Sequence, residues 1–256
     1  MYSAMADVGA LAGEEGYVTA LSSLWENVVS RKLYLTGGLG ARRDNEGFGE
    51  DYELPNLTAY AETCAAIAGA MWNHRMFLLH GDAKYIDVLE RILYNGLLSG
   101  VSLDGERFFY PNPLAADGKR AFNMRQKGRS EWFDCSCCPT NVVRFLPSLP
   151  GYVYAQRDRD LFVNLFVAGR GDLRVGKVAV GISQETRYPW DGKVRIALEP
   201  ARPAELAVHV RIPGWAQGRP VPSDLYRYLD AGTKAFRLRR AFVPGEVQER
   251  GSTTVG

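Results

Sequence analysis

Leu161-Phe162-Val163-Asn164-Leu165-Phe166-Val167 is the stretch on which the fold turns: an almost unbroken apolar run, short enough for a strand and bounded by charged and glycine residues. On its C-terminal side the period stays at two. Leu206 to Ile212 alternates Val208, Val210 and Ile212 against His209 and Arg211, and Val175, Val178, Val180 and then Val194, Ile196, Leu198 continue the pattern between Gly, Pro and Asp residues. This predicts an antiparallel β-sandwich. On the N-terminal side, before about Gly151, the period is helical instead. Tyr17, Leu21, Leu24, Trp25 and Val28 form one stripe, Tyr85, Leu89, Ile92 and Leu93 another, and Tyr60, Cys64, Ile67, Ala68 and Met71 a third that starts after Pro55, with Asn56 as its N-cap. Helices first and strands afterwards predict a multidomain α-then-β chain, divided into residues 1–150 and 151–256. Ala235 to Val247 reads as the start of a further hairpin, and residues 249–256 as a disordered tail.

Composition removes several classes of function. Lys plus Arg number 31 against 29 Asp plus Glu, a net charge of +2, so no nucleic-acid partner is implied. The longest apolar run, Cys64 to Trp72, is far below the ~20 residues of a membrane span, and the N-terminus lacks the pattern of a secretory signal. No membrane partner is expected, and the location is expected to be cytoplasmic. Four cysteines are too few for a disulfide scaffold, and three of them, Cys135, Cys137 and Cys138, fall within four positions, which points to metal or thiolate chemistry in a reduced compartment.

Pro139 is suited to the first position of a helix through Val142, Val143 and Phe145, which places Cys137 and Cys138 at its N-terminus, where the dipole and free N–H groups favour thiolates. Cys64 follows Glu62 by two residues. Thiolate and carboxylate can share zinc, but these positions diverge by about 200° on a regular helix, so they meet only if the first turn is irregular or the Glu side chain reaches round. A plain core role for Cys64 stays open. Asp44, Glu46, Glu50, Asp51 and Glu53 crowd one glycine-rich loop, and Glu46, between Asn45 and Gly47-Phe48, is the candidate general acid.

Tyr34-Leu35-Thr36-Gly37-Gly38-Leu39-Gly40, Glu46-Gly47-Phe48, Asp51-Tyr52-Glu53-Leu54-Pro55-Asn56, Tyr60-Ala61-Glu62-Thr63-Cys64 and Cys137-Cys138-Pro139 together resemble the bacterial β-L-arabinofuranosidases of glycoside hydrolase family 127. Looser similarity runs through Val208 to Trp215. The resemblance implies a partial (α/α)6 barrel, its C-terminal half over residues 1–150, followed by an incomplete β-sandwich. It implies one Zn²⁺ bound by Glu62, Cys64, Cys137 and Cys138, with Cys137 as nucleophile, Glu46 as acid/base and Tyr110 near the sugar of a glycoside or oligosaccharide substrate. The reaction would be retaining release of terminal β-L-arabinofuranose. The family's N-terminal barrel helices and their histidines have no counterpart here, since His74, His80 and His209 match none of them. Exposed apolar patches, homo-oligomer formation and an inactive chain are the corresponding expectations. Two alternatives are a non-catalytic structural zinc protein and a carbohydrate-binding module in which Trp190 and Trp215 stack on sugar rather than fill a core.

Overall fold

The computed structural model describes residues 1–217; the predicted hairpin at 235–247 and the tail lie outside the described residues. Two compact units divide them: residues 1–149 with 212–217, and residues 150–211.

The first unit is helical. Its α-helices are α1 (Tyr2–Ala12), α2 (Glu15–Arg31), α3 (Thr63–His80), α4 (Ala83–Arg91) and α5 (Cys137–Phe145). α2 buries Leu21, Trp25, Val28 and Val29, so its predicted stripe faces the core, although Tyr17 at its start is exposed. α3 is apolar on nearly every side because it packs against α1, α4 and α5 at once. One polar pair crosses this core: the Trp25 indole N–H donates to Asn73 Oδ1 at 2.8 Å, and Asn73 Nδ2 donates to Gly69 O at 2.8 Å. α4 is capped by Asp82, whose side chain accepts from the Lys84 N–H at 2.9 Å, and it runs on into a π-helical turn, Ile92–Leu97.

That turn explains the glycine-rich loop. Gly37 has φ +83°, and a Cβ there would lie 2.8 Å from Ile92 Cα; a Cβ on Gly96 would lie 3.1 Å from the Gly37 carbonyl carbon. Glycine on both sides lets two backbones touch.

Two helix starts differ from the sequence reading. α3 begins at Thr63 rather than after Asn56. Residues 60 and 61 are held by the neighbouring loop instead: Tyr60 N bonds Ala41 O at 3.4 Å, Ala61 N bonds Gly40 O at 2.7 Å, and Ala61 is left-handed at φ 40°. Asn56 offers its carbonyl to the amides of Leu114 and Ala115 and caps nothing. α5 begins at Cys137, two residues before Pro139. Proline is tolerated there because a first-turn N–H has no partner within the helix.

The second unit opens with the short helix α6 (Pro150–Val153) and carries six strands: β1 (Tyr154–Arg157), β2 (Asp160–Val163), β3 (Gly169–Val175), β4 (Val178–Thr186), β5 (Val194–Pro200) and β6 (Ala207–Val210). They form two three-stranded sheets, β1-β2-β6 and β3-β4-β5. The second is an antiparallel meander with Leu173 opposite Val180 and Gln184 opposite Ile196. In the first, β6 lies parallel to β2, with Leu161 opposite Val208, so the expectation of purely antiparallel pairing is corrected. The long connection through β3, β4 and β5 is what allows a parallel return. Leu161, Val163, Phe166, Val175, Val180 and Ile182 make the core.

The opening run is not one strand. β2 stops at Val163, after which the amides of Asn164 and Leu165 both turn to Val153 O. The parity expected for 206–212 also fails: Val208 and Val210 are exposed at 38% and 48%, whereas Arg211 is 6% exposed. Its guanidinium lies over the Phe166 ring and its Nε donates to Asn164 O at 2.6 Å, so a residue that alternation assigned to the polar face is the buried one. Trp190 is 88% exposed and therefore no core residue.

Candidate metal and catalytic site

Two helix N-termini meet in the first unit. Glu62 and Cys64 belong to the start of α3, Cys137 and Cys138 to the start of α5, and one ligand atom from each lies within 4.8 Å of all the others. Glu62 converges with Cys64 because it stands outside the helix, in an extended conformation at φ −60°, ψ 138°. The 200° divergence of a regular helix therefore never applies. Cys135, the fourth thiol, stays exposed and outside the cluster.

The spacing can be tested against an ion. Tetrahedral zinc with Zn–S of ~2.3 Å and Zn–O of ~2.1 Å requires S···S edges of about 3.8 Å and S···O edges of about 3.6 Å. Cys64 Sγ lies 3.4 Å and Cys137 Sγ 3.9 Å from Cys138 Sγ, and Glu62 Oε1 lies 3.6 Å from Cys137 Sγ and 3.5 Å from Cys138 Sγ. These four edges match the ion, and the remaining two, from Cys64 to Glu62 and to Cys137, lie within 4.8 Å. The protonation tendencies agree: burial raises the Glu62 carboxyl, burial pushes the Cys137 thiol up to about 12, and the Cys64 sulfur and burial raise Cys138, while Cys64 is lowered by the hydrogen bond from Cys138. Four groups that are all anionic when ionised resist ionising together, and a divalent cation removes that conflict.

Glu46 sits at the tip of a tight hairpin in which Arg42 and Gly47 exchange backbone bonds of 3.1 and 3.2 Å; its own φ is 49°. Arg42 clasps Glu53 through Nε at 2.8 Å and Nη2 at 2.6 Å, and Glu53 Oε2 also accepts from the Glu50 amide at 2.9 Å. Asp51 pairs with Arg31 at 2.6 Å and Lys32 at 3.0 Å. These bonds hold the Asp51 and Glu53 carboxyls down to about 2. Of the five loop carboxylates, those two hold the loop in place. Glu46 instead accepts the Tyr60 hydroxyl at 2.9 Å and borders an apolar cavity of about 180 Å³ with Leu39, Phe48, Ala68 and Trp72.

Tyr110 is buried, edge-on to Phe133 at 5.7 Å, with its hydroxyl hydrogen-bonded to Cys137; burial first, and then that bond, push its pKa far above the usual phenol. Two residues that position these groups were not singled out by sequence. Tyr60 read as a helix-stripe position, although it lies within the Tyr60–Cys64 motif. Asn123 carries no sequence signal, yet it is fully buried, accepts the Tyr110 amide at 2.7 Å, and donates to Phe108 O at 3.1 Å and Gly128 O at 2.8 Å.

Comparison with known proteins follows the same outline. Residues 3–151 match the β-L-arabinofuranosidase GH127 catalytic domain, and residues 160–224 the GH127 middle domain. The chain is 36% identical to the non-reducing end β-L-arabinofuranosidase of Bifidobacterium longum subsp. longum over 223 residues, covering 84% of this chain and 33% of that protein. A solved GH127 β-arabinofuranosidase superposes with TM-score 0.81 at 53% identity, over 88% of this chain and 34% of the other. A GH127 β-L-arabinofuranosidase from Geobacillus stearothermophilus T6 superposes with TM-score 0.80 at 46% identity, over 84% and 34%. The chain thus spans about a third of the length of these relatives. With more than half of its residues matched by the catalytic domain, the chain belongs to glycoside hydrolase family 127, the β-L-arabinofuranosidase family.

Proposed function

We propose that this chain carries the nucleophile, acid/base and zinc ligands of a retaining glycoside hydrolase that releases terminal β-L-arabinofuranose from glycosides. Glu62, Cys64, Cys137 and Cys138 would hold Zn²⁺, whose chemistry is to keep these sulfurs deprotonated at neutral pH. Cys137 Sγ attacks the anomeric carbon while the bond to the leaving oxygen breaks and Glu46 gives that oxygen its proton. Glu46 then takes a proton from water, the water oxygen bonds the anomeric carbon, the C–S bond breaks, and Cys137 departs as thiolate. Tyr110, hydrogen-bonded to Cys137, orients the sulfur and borders the sugar. The matched catalytic domain supports reading the helices as part of an (α/α)6 barrel and the strands after it as a sandwich. A cluster of free thiols fits a reduced, cytoplasmic location.

The observation that carries this reading is the meeting of four ligand atoms within 4.8 Å, one of them the sulfur of Cys137. The same observation favours a second reading: four protein ligands make a closed site of the structural kind, clamping α3 to α5 without chemistry. Metal analysis and turnover of an aryl β-L-arabinofuranoside separate the two. Zinc near one per chain, arabinose release, and loss of that release in Cys137→Ser support the enzyme. Zinc without release, or turnover unchanged in Cys137→Ser, refutes it in favour of the clamp.

A further inference from the structure

We propose that Tyr60 is a positioning residue for the acid/base, its hydroxyl fixing the Glu46 carboxylate in one orientation. The proposal rests on the reading of Glu46 as acid/base. Glu46 is an exposed side chain on a hairpin tip, with a left-handed backbone at φ 49°, and the ion pairs of that loop are made by Asp51, Glu53 and, more loosely, Glu50. Its orientation therefore depends on the Tyr60 hydroxyl, 2.9 Å from Oε1.

Tyr60 is built to supply that orientation. It is 2% exposed, its amide bonds Ala41 O at 3.4 Å, and its carbonyl accepts from the Asn112 amide at 3.1 Å. A phenol has one proton to give and lone pairs to spare. Having donated to Glu46, the Tyr60 hydroxyl has given its one proton; the Tyr110 ring centre lies 6.3 Å away, and the Tyr110 hydroxyl gives its own proton to Cys137. Tyr60 and Tyr110 thus stand side by side, one bonded to the acid/base and the other to the nucleophile. A carboxylate that must protonate a leaving oxygen and later deprotonate water gains from being held in one place for both steps.

Tyr60→Phe tests this, because it keeps the ring and removes only the donor. With a methyl β-L-arabinofuranoside, whose leaving group needs protonation, kcat should fall ~10–100-fold; with the 4-nitrophenyl glycoside, which needs little help, it should fall less than ~3-fold, with KM within ~2-fold in both. Zinc content and thermal midpoint should match the wild type. Equal losses on both substrates, or no loss on either, would overturn the proposal, as would a variant that loses its zinc or folds poorly, since the hydroxyl would then be structural. Glu46→Gln is the control: if it shows no such leaving-group selectivity, or the wild type has no turnover, the acid/base reading itself fails.

Discussion

Asn123→Ala should destabilise the helical unit by about 3–5 kcal/mol, the largest single part of it from one backbone group. The Asn123 side chain makes three hydrogen bonds from a position with no exposed surface. Their losses are unequal. Phe108 O keeps a second donor, the Ser130 amide at 2.9 Å, and Gly128 is exposed, so its carbonyl can turn to water. The Tyr110 amide, within a buried residue, has the side-chain oxygen of Asn123 at 2.7 Å as its partner. Leaving that N–H unpaired costs ~1–3 kcal/mol, the two weaker losses add ~0.5–1.5 kcal/mol together, and the vacated amide volume adds ~1 kcal/mol. Urea unfolding followed by far-UV circular dichroism measures the change directly; at ~2–4 °C per kcal/mol the thermal midpoint should drop by roughly 6–20 °C. A loss below ~1 kcal/mol would refute the reasoning, since it would mean that the Tyr110 segment is held by something other than this amide.

Gly37→Ala should cost ~3 kcal/mol or more, combining left-handed strain with a Cβ 2.8 Å from Ile92 Cα, whereas Gly13→Ala, also left-handed but with nothing within 4 Å, should cost only ~1 kcal/mol; equal effects in denaturant melts would contradict the packing argument. His74 is held down to about 4, first by burial and then by Arg75, so the folded state resists its protonation. Its stabilising contribution is complete above the unfolded value near 6.5 and is lost as pH falls toward 4, by up to about 3 kcal/mol; His74→Gln should flatten stability across that window in pH-dependent urea melts. Cys138→Ser should lower zinc affinity at least ~100-fold in chelator competition, and chelation of the wild type should lower its thermal midpoint; a midpoint indifferent to chelator would argue against a bound ion.

The helices were readable where one face is wet. α2 and α4 carry apolar stripes because their other sides meet solvent, and their places agree with the stripes. α3 is surrounded, so its stripe could be extended backward through Tyr60 without any polar residue objecting, and its start was misplaced. The convergence of Glu62 with Cys64 depended on a backbone break at residues 61 and 62 that periodicity does not register. For β6, alternation located the strand but not what is buried: all four of its residues are exposed, and the buried side chain is that of Arg211 just beyond it, against Phe166 and the Asn164 carbonyl. The crowding of Cys135, Cys137 and Cys138 points to metal or thiolate chemistry, but the place of Glu62 and Cys64 in the cluster comes from the family resemblance and not from spacing. Asn123 was not legible, since its value lies in three partners that the sequence does not bring near it.

Cys64 and Cys138 stand 74 positions apart, yet their sulfurs are 3.4 Å from each other. An ion shared between them would act as a cross-link closing a loop of that length, and in the chain-entropy treatment such a closure removes about 4 kcal/mol of freedom from the unfolded chain. Everything between them, the central helix, the π turn, and the Tyr110 and Asn123 segments, lies inside that loop. Metal loading and consolidation of the region would then be a single event, and protease resistance across residues 65–136 would track the ion rather than the substrate.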